Sequence, residues 1–156
     1  LELDKIWSAN PNRLEYIIAD AEIDMARGKP GQAAKKLAKR LELTPGNHPL
    51  TMTYATALMR SQQPHLAEEV LQLQSKRRSN DPSLWYLLAE VQGLSSNIIG
   101  LHQSRAEYFI LNGALDQARK QLNYALKLSR GDFPTSAKIT QRLEDIDKMQ
   151  AQMEEL

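Results

Sequence analysis

Cysteine is missing from this sequence, and an excess of charge of either sign is nearly missing as well. Without cysteine the chain can form no disulfide, no thiol nucleophile and no cysteine metal site. Its 20 basic residues are balanced by 19 acidic ones, so no global charge draws it toward nucleic acid or an anionic membrane. No apolar run approaches the roughly 18 residues of a transmembrane helix. We therefore expect a soluble protein with no nucleic-acid partner and no direct membrane insertion.

The sequence also lacks the motifs of common catalytic sites. A zinc peptidase needs two histidines one helical turn apart with a glutamate beside the first, and no such pattern occurs. His48, His65 and His102 are isolated, and we interpret them as solvated or capping residues. No glycine-rich loop follows a strand, and no Ser/His/Asp set can be ordered. We therefore expect no catalytic residue, no metal and no other cofactor in this chain.

The most informative segment, residues 28–47, has the order turn, helix, turn. Glycine and proline break the chain at Gly28 and Pro30, and Pro45 stops the helix. Between the turns, apolar residues recur at spacings of three and four. They are Ala33, Ala34, Leu37, Ala38 and Leu41. The small residue five positions after Gly28 resembles the turn of a tetratricopeptide repeat, in which two helices approach closely.

The same order recurs further along the chain. Tyr-Ala-x-x-Leu in residues 54–58, a turn, and the pair Ala67 and Leu71 make a second hairpin. Trp-x-x-Leu-Ala in residues 85–89 starts a third, and we place Trp85 in its core. Only two helices fit between Trp85 and Gly113. We therefore expect the helix around Ala106 to close one hairpin and open the next.

These patterns predict an all-α fold, a tetratricopeptide-repeat superhelical solenoid of antiparallel helix hairpins whose last repeat is merged or divergent. We expect one structural domain, excised from a longer protein because the chain starts without Met or a leader. Its predicted parts are the tail of a preceding repeat (1–12), two hairpins (13–47 and 48–81), divergent hairpins (82–131) and a C-terminal capping helix (132–156).

Several segments resemble one family of envelope proteins. Leu-Trp-Tyr-Leu-Leu-Ala-Glu (84–90), together with residues 105–118 and 142–146, is similar to the C-terminal tail of the periplasmic beta-barrel assembly-enhancing proteases of Gram-negative bacteria. Residues 19–24 and 63–67 resemble the earlier hairpins of that family. The resemblance implies a periplasmic location and, as partners, the outer-membrane assembly machinery and unfolded or stalled barrel proteins. It implies zinc only in a metallopeptidase domain that is absent here.

Function in such repeats comes from the concave groove lined by the first helix of each hairpin. The predicted groove residues are Ile18, Glu22, Met25, Met52, Thr56, Met59, Tyr86 and Glu90. Three of the five methionines fall in this set, and their flexible, polarizable side chains suit varied apolar partners. Some of these residues could instead be core. An apolar groove with acidic spots favours a segment with apolar and basic side chains.

Chaperone-docking repeats offer a different mode of binding, in which Lys, Asn and Arg at set first-helix positions hold a partner's C-terminal carboxylate. The residues at those positions here are Ile18, Glu22, Thr53, Ser83 and Leu87. None of them has the cationic or amide group that the clamp requires. The sequence therefore predicts no carboxylate clamp.

Two charged clusters have alternative interpretations. The basic cluster contains Lys35, Lys36, Lys39 and Arg40, with residues 76–78 in a predicted loop. It could touch phosphate, but it lacks interleaved aromatics, and a solvated outer face is the ordinary interpretation. Asp20 and Asp24 lie four apart on a helix and could hold a metal or form a wet face.

Two functions from different classes stay open. The first is a protein-binding module that recruits substrates or partners for a periplasmic metalloprotease. The second is a scaffold repeat of an unrelated cytoplasmic complex, which could self-associate through the C-terminal helix.

Overall fold

The structure is a computed structural model and describes residues 13–156, where all regular structure is helical. Helices α1 to α4 span Leu14–Ala26, Pro30–Leu43, His48–Arg60 and Pro64–Arg77. Helices α5 to α8 span Pro82–Leu94, Ile98–Leu111, Leu115–Leu128 and Phe133–Glu154. The first four helices form one compact unit and the last four a second, divided after Ser79. The predicted repeat tail, residues 1–12, lies outside the described part.

Prolines and capping side chains set where the helices begin. Five of the described helices, α2 to α5 and α8, carry proline in their first two positions, where the missing amide would have no intrahelical partner anyway. The side chain of Asn47 accepts a hydrogen bond from the amide of Leu50 at 3.1 Å, and that of Asp81 accepts one from Ser83 at 2.9 Å. These caps satisfy amides that the first helical turn leaves free.

Helices α1, α3, α5 and α6 end in the same turn. In each, an amide beyond the helix donates to the carbonyl five residues earlier, the Schellman pattern. The four donors are Lys29, Gln63, Asn97 and Ala114, at 2.8 to 2.9 Å. The residue before each donor has positive φ, and these residues are Gly28, Gln62, Ser96 and Gly113. This turn brings the next helix back antiparallel to the last.

The order of turns differs between the two units. In the first, the Schellman turn alternates with a longer connection through Gly46, so the hairpins are α1–α2 and α3–α4. In the second, α6 has a Schellman turn at both ends and packs against both α5 and α7. Helix α6 is therefore the second helix of one hairpin and the first helix of the next.

A small residue and a large one recur in the core of the second helices. Ala33, Ala67 and Ala118 have no exposed surface, and each is followed one turn later by a leucine that is at most 1% exposed. Alanine at the first position lets the neighbouring helix come close, and leucine at the second fills the space beside it. The core of the second unit is completed from α8 by Ile139 and Ile146.

Trp85, which the sequence predicts in the core, is only partly buried. The core positions of α5 are taken by Leu84 and Leu88, both at most 2% exposed. Tryptophan is so large that it is rarely covered completely, even where most of its surface is packed.

Candidate functional site

The first unit has a surface depression between α1 and α3, the first helices of its two hairpins. We call it the α1–α3 depression; its volume is about 290 Å³. Its lining residues are Glu22, Met25, Met52, Thr53, Thr56 and Arg60. Four of the predicted groove residues thus lie together around one concave surface.

The floor of the α1–α3 depression is apolar and its rim is charged. Met25 is buried and Met52 partly buried, whereas Glu22 and Arg60 are exposed. Thr56 donates its hydroxyl hydrogen to a carbonyl of its own helix at 3.0 Å, so it offers a partner little beyond its methyl group and one acceptor oxygen. Within residues 13–156, neither rim charge has an ion-pair partner within 4.0 Å.

Two predicted groove residues of the first unit lie apart from this surface. Ile18 on α1 and Met59 on α3 are partly buried, and neither lines the α1–α3 depression. Met59 precedes Arg60, whose side chain reaches the depression in its place.

The second unit has a depression between α5 and α6, which we call the α5–α6 depression; its volume is about 360 Å³. Its lining residues are Tyr86, Ala89, Glu90, Arg105, Tyr108 and Phe109. Tyr86 and Glu90 are predicted groove residues. The three lining residues of α6 are not, although their spacing of three and four places them on one helix face.

Aromatic rings dominate the α5–α6 depression. The ring centroids of Tyr86 and Tyr108 are 5.5 Å apart with planes tilted by 57°, and those of Tyr108 and Phe109 are 5.7 Å apart and nearly edge to face. Both arrangements are favourable for aromatic pairs. Tyr86 is nevertheless 62% exposed, so much of its ring remains open to a partner.

The rim of the α5–α6 depression also carries one charge of each sign. Glu90 and Arg105 are exposed, and neither has an ion-pair partner within 4.0 Å in the described part of the chain. The two depressions thus share a composition of one acid, one arginine and an apolar floor. The prediction of an apolar groove with acidic spots is therefore incomplete, because each depression is also lined by an arginine.

Lys36 of the basic cluster is held in place by two carboxylates. Its Nζ lies 3.0 Å from Oδ2 of Asp20 and 2.8 Å from Oδ2 of Asp24, which joins α2 to α1. The contact with the Asp24 carboxylate is the main cause of the raised pKa of Lys36. Asp20 and Asp24 thus face Lys36 of the neighbouring helix rather than solvent alone, and Lys36 is not simply solvated. The prediction that residues 76–78 lie in a loop is wrong for Lys76 and Arg77, which belong to α4.

Two of the three histidines make hydrogen bonds between helices. Nδ1 of His48 lies 3.0 Å from Nε2 of Gln74, and Nδ1 of His102 lies 2.7 Å from Oε1 of Gln121. Both contacts have a structural role, and His65 is exposed. In residues 13–156, no three His, Asp or Glu side chains are grouped so that they could hold a metal ion.

Known proteins support the fold. A family model described as "Tetratricopeptide repeat" matches residues 24–91. The solved structure "Crystal structure of MamA" aligns with a TM-score of 0.64 and 16% identity over 96% of this chain and 87% of that one. A second, "MamA 41-end from Desulfovibrio magneticus RS-1", aligns with a TM-score of 0.62 and 17% identity over 95% and 83%. The chain has an all-α tetratricopeptide-repeat fold. Tetratricopeptide repeats present binding surfaces to other proteins, and this chain is a protein-interaction module.

Curated relatives match along nearly the whole chain. "Beta-barrel assembly-enhancing protease" of Escherichia coli (strain K12) and that of Shigella flexneri are each 26% identical to it over 148 residues, which is 95% of this chain. The chain spans only about 30% of the length of these relatives.

Among the described helices, none has the length and apolar character needed to cross a membrane.

Proposed function

We propose that this chain recruits substrates or assembly-machinery partners for a periplasmic metalloprotease or chaperone that serves the assembly and quality control of outer-membrane β-barrel proteins. The observation that carries the proposal is the 26% identity to proteins named for that role, since it extends over 95% of the chain rather than over a single hairpin. The partners are then the outer-membrane assembly machinery and unfolded or stalled barrel proteins. The location is then the periplasm.

The chemistry of cleavage lies elsewhere in this proposal. A zinc peptidase motif is absent from the sequence, so zinc and the catalytic groups would belong to a separate domain of a longer protein. The hairpins contribute binding, and tethering them to a protease raises the concentration of a captured segment near the catalytic groups.

Both depressions fit the capture of diverse protein segments. Volumes of about 290 and 360 Å³ are at the small end of ligand sites, so each accepts one or two side chains rather than a folded partner. Methionine in one and aromatic rings in the other adapt to varied apolar side chains. A contact made through depressions of this size buries little surface and supports affinities of roughly micromolar strength. Such weak binding allows a recruiting module to release what it binds.

Photo-crosslinking tests the proposal. Benzoylphenylalanine replaces Met52 in one variant and Tyr86 in another, with exposed Lys39 on α2 and Lys120 on α7 as control positions. Each purified chain is mixed at micromolar concentration with an unfolded outer-membrane barrel protein, or with an unfolded soluble protein of equal length. We expect crosslinks from Met52 and Tyr86 to the barrel protein and few from the lysine positions.

Two results would overturn the proposal. Equal capture from all four positions would show that the depressions do not bind the segment. Equal capture of barrel and soluble chains from Met52 and Tyr86 would remove the link to barrel assembly, and the scaffold of an unrelated cytoplasmic complex would become the better explanation.

A further inference from the structure

We propose that the α5–α6 depression selects a partner segment in which an aromatic side chain lies between one acidic and one basic residue. This inference rests on the recruiting function proposed above, and it names the chemistry that one of the two depressions recognises. It concerns residues of α5 and α6 alone.

The aromatic part of the inference comes from the lining. Tyr86, Tyr108 and Phe109 supply three rings to the lining, together with the small side chain of Ala89. The two tyrosine rings already contact each other, so a partner ring packs against the exposed part of Tyr86 rather than between them. A partner ring there buries apolar surface of the partner and of Tyr86, and it gains the tilted contact that aromatic pairs prefer. The α1–α3 depression has no aromatic lining residue and offers no such preference.

The charged part comes from the rim. Glu90 and Arg105 both line the depression, both are exposed, and the described residues give neither of them an ion-pair partner within 4.0 Å. Arginine binds carboxylates through paired N–H groups, and Glu90 attracts an ammonium group. A partner with both charges satisfies both rim residues, whereas a partner with only one charge leaves the opposite rim charge unpaired.

The spacing follows from the geometry of an extended segment. Side chains two residues apart point to the same side of an extended backbone. A segment that places a ring in the depression therefore presents the residues two before and two after it to the rim. A labelled peptide with phenylalanine at its centre, glutamate two residues before it and lysine two residues after it, in a glycine–serine background, is the probe. A second peptide with the two charges exchanged tests the direction of binding.

Fluorescence anisotropy of the labelled peptides with the whole 156-residue chain measures the effect. We expect Tyr86→Ala to weaken binding by about tenfold, as does replacing the peptide's phenylalanine with alanine. Tyr124→Ala is the matched control, because Tyr124 is 49% exposed on α7, outside the depression. Both substitutions lie at exposed sites, and unchanged helical circular dichroism confirms that each variant is folded.

A double-mutant cycle tests the charge pairing. Arg105→Gln weakens binding of the parent peptide by about two- to fivefold, the range of exposed ion pairs, and has no effect on a peptide whose glutamate is glutamine. Glu90→Gln and the peptide lysine form the second cycle. Additive effects in both cycles would overturn the charge pairing. Equal losses for Tyr86→Ala and Tyr124→Ala would overturn the aromatic site.

The outcomes separate this inference from the recruiting function. If the peptides fail to bind while benzoylphenylalanine at Met52 still captures barrel proteins, the aromatic selectivity is wrong and recruitment stands. If the peptides bind as expected while no barrel protein is captured at either position, the α5–α6 site is correct and its assignment to barrel assembly is wrong.

Discussion

Replacing Gly100 with alanine tests how closely α5 and α6 approach. A β-carbon at Gly100 would lie 2.6 Å from Nε2 of Gln92 and 2.6 Å from Nδ2 of Asn97, closer than β-carbons are found to any neighbour. Gln92 is buried and accepts a 2.6 Å hydrogen bond from Ser104, while the side chain of Asn97 caps α6 by accepting from the amide of residue 100. The new methyl group therefore displaces two side chains that each make a structural hydrogen bond.

The expected free-energy change is the difference between a cost and a smaller gain. Alanine raises helix propensity by up to about 1 kcal/mol over glycine. Overpacking costs about 2 kcal/mol, and the weakened hydrogen bond of buried Gln92 costs about 1 kcal/mol more. Gly100→Ala should therefore lower the free energy of unfolding by about 2 kcal/mol, although alanine favours helix.

Urea unfolding followed by circular dichroism measures this change. With a typical slope for a small protein, a loss of 2 kcal/mol moves the midpoint down by about 1 M. Gly31→Ala is the matched control, because Gly31 is also helical and a β-carbon there has no neighbour within 4 Å. That control should be neutral or slightly stabilising. If Gly100→Ala shifts the urea midpoint no more than Gly31→Ala does, α5 and α6 do not pack as closely as described.

Three further predictions concern the ion pairs, caps and core. Lys36→Met should lower the free energy of unfolding by about 1 kcal/mol, modest because its side chain is 44% exposed, while Lys35→Met should leave the thermal midpoint unchanged; equal effects would contradict the ion pair with α1. Hydrogen bonds from Thr135 lower the pKa of Asp132, so Asp132→Ala should destabilise at pH 7 and lose its effect as acid titration passes below the folded carboxyl's pKa; a constant difference in stability down to pH 2 would contradict this. Ile146→Ala, at a fully buried site, should cost about 2–5 kcal/mol in urea unfolding, and a loss below 1 kcal/mol would place the α8 core elsewhere.

The parts of the fold that sequence predicts are those set by neighbours along the chain. The turn at Gly28 and the pair Ala33 and Leu37 can be predicted because helix spacing and turn chemistry are local, and both members of the pair are fully buried. The all-α tetratricopeptide-repeat fold follows from the recurrence of this pattern, and the structure and the family match confirm it.

The parts that sequence misses depend on which helix lies beside which. Lys36 looks solvated because its partner Asp20 is sixteen residues away on another helix, beyond any spacing within one helix. Arg105 and Tyr108 are missed because a depression is formed by two helices, and only the structure shows that α6 faces α5 there. The assignment of the predicted groove residues as a binding site stays a prediction.

Helix α6, with the same turn at both of its ends, changes how this protein can be cut and recombined. In a regular array any pair of consecutive helices is a cassette that can be exchanged, because inner and outer helices alternate without interruption. Here α6 is shared by two hairpins, so no whole pair of helices can be removed without breaking one of them. Helices α5, α6 and α7 therefore form one group of three. A chimaera joined within residues 95–97 or 112–114 would leave α6 with one side uncovered. Inserting two helices would keep the alternation of first and second helices along the chain. Loss of α6 alone would reverse that alternation.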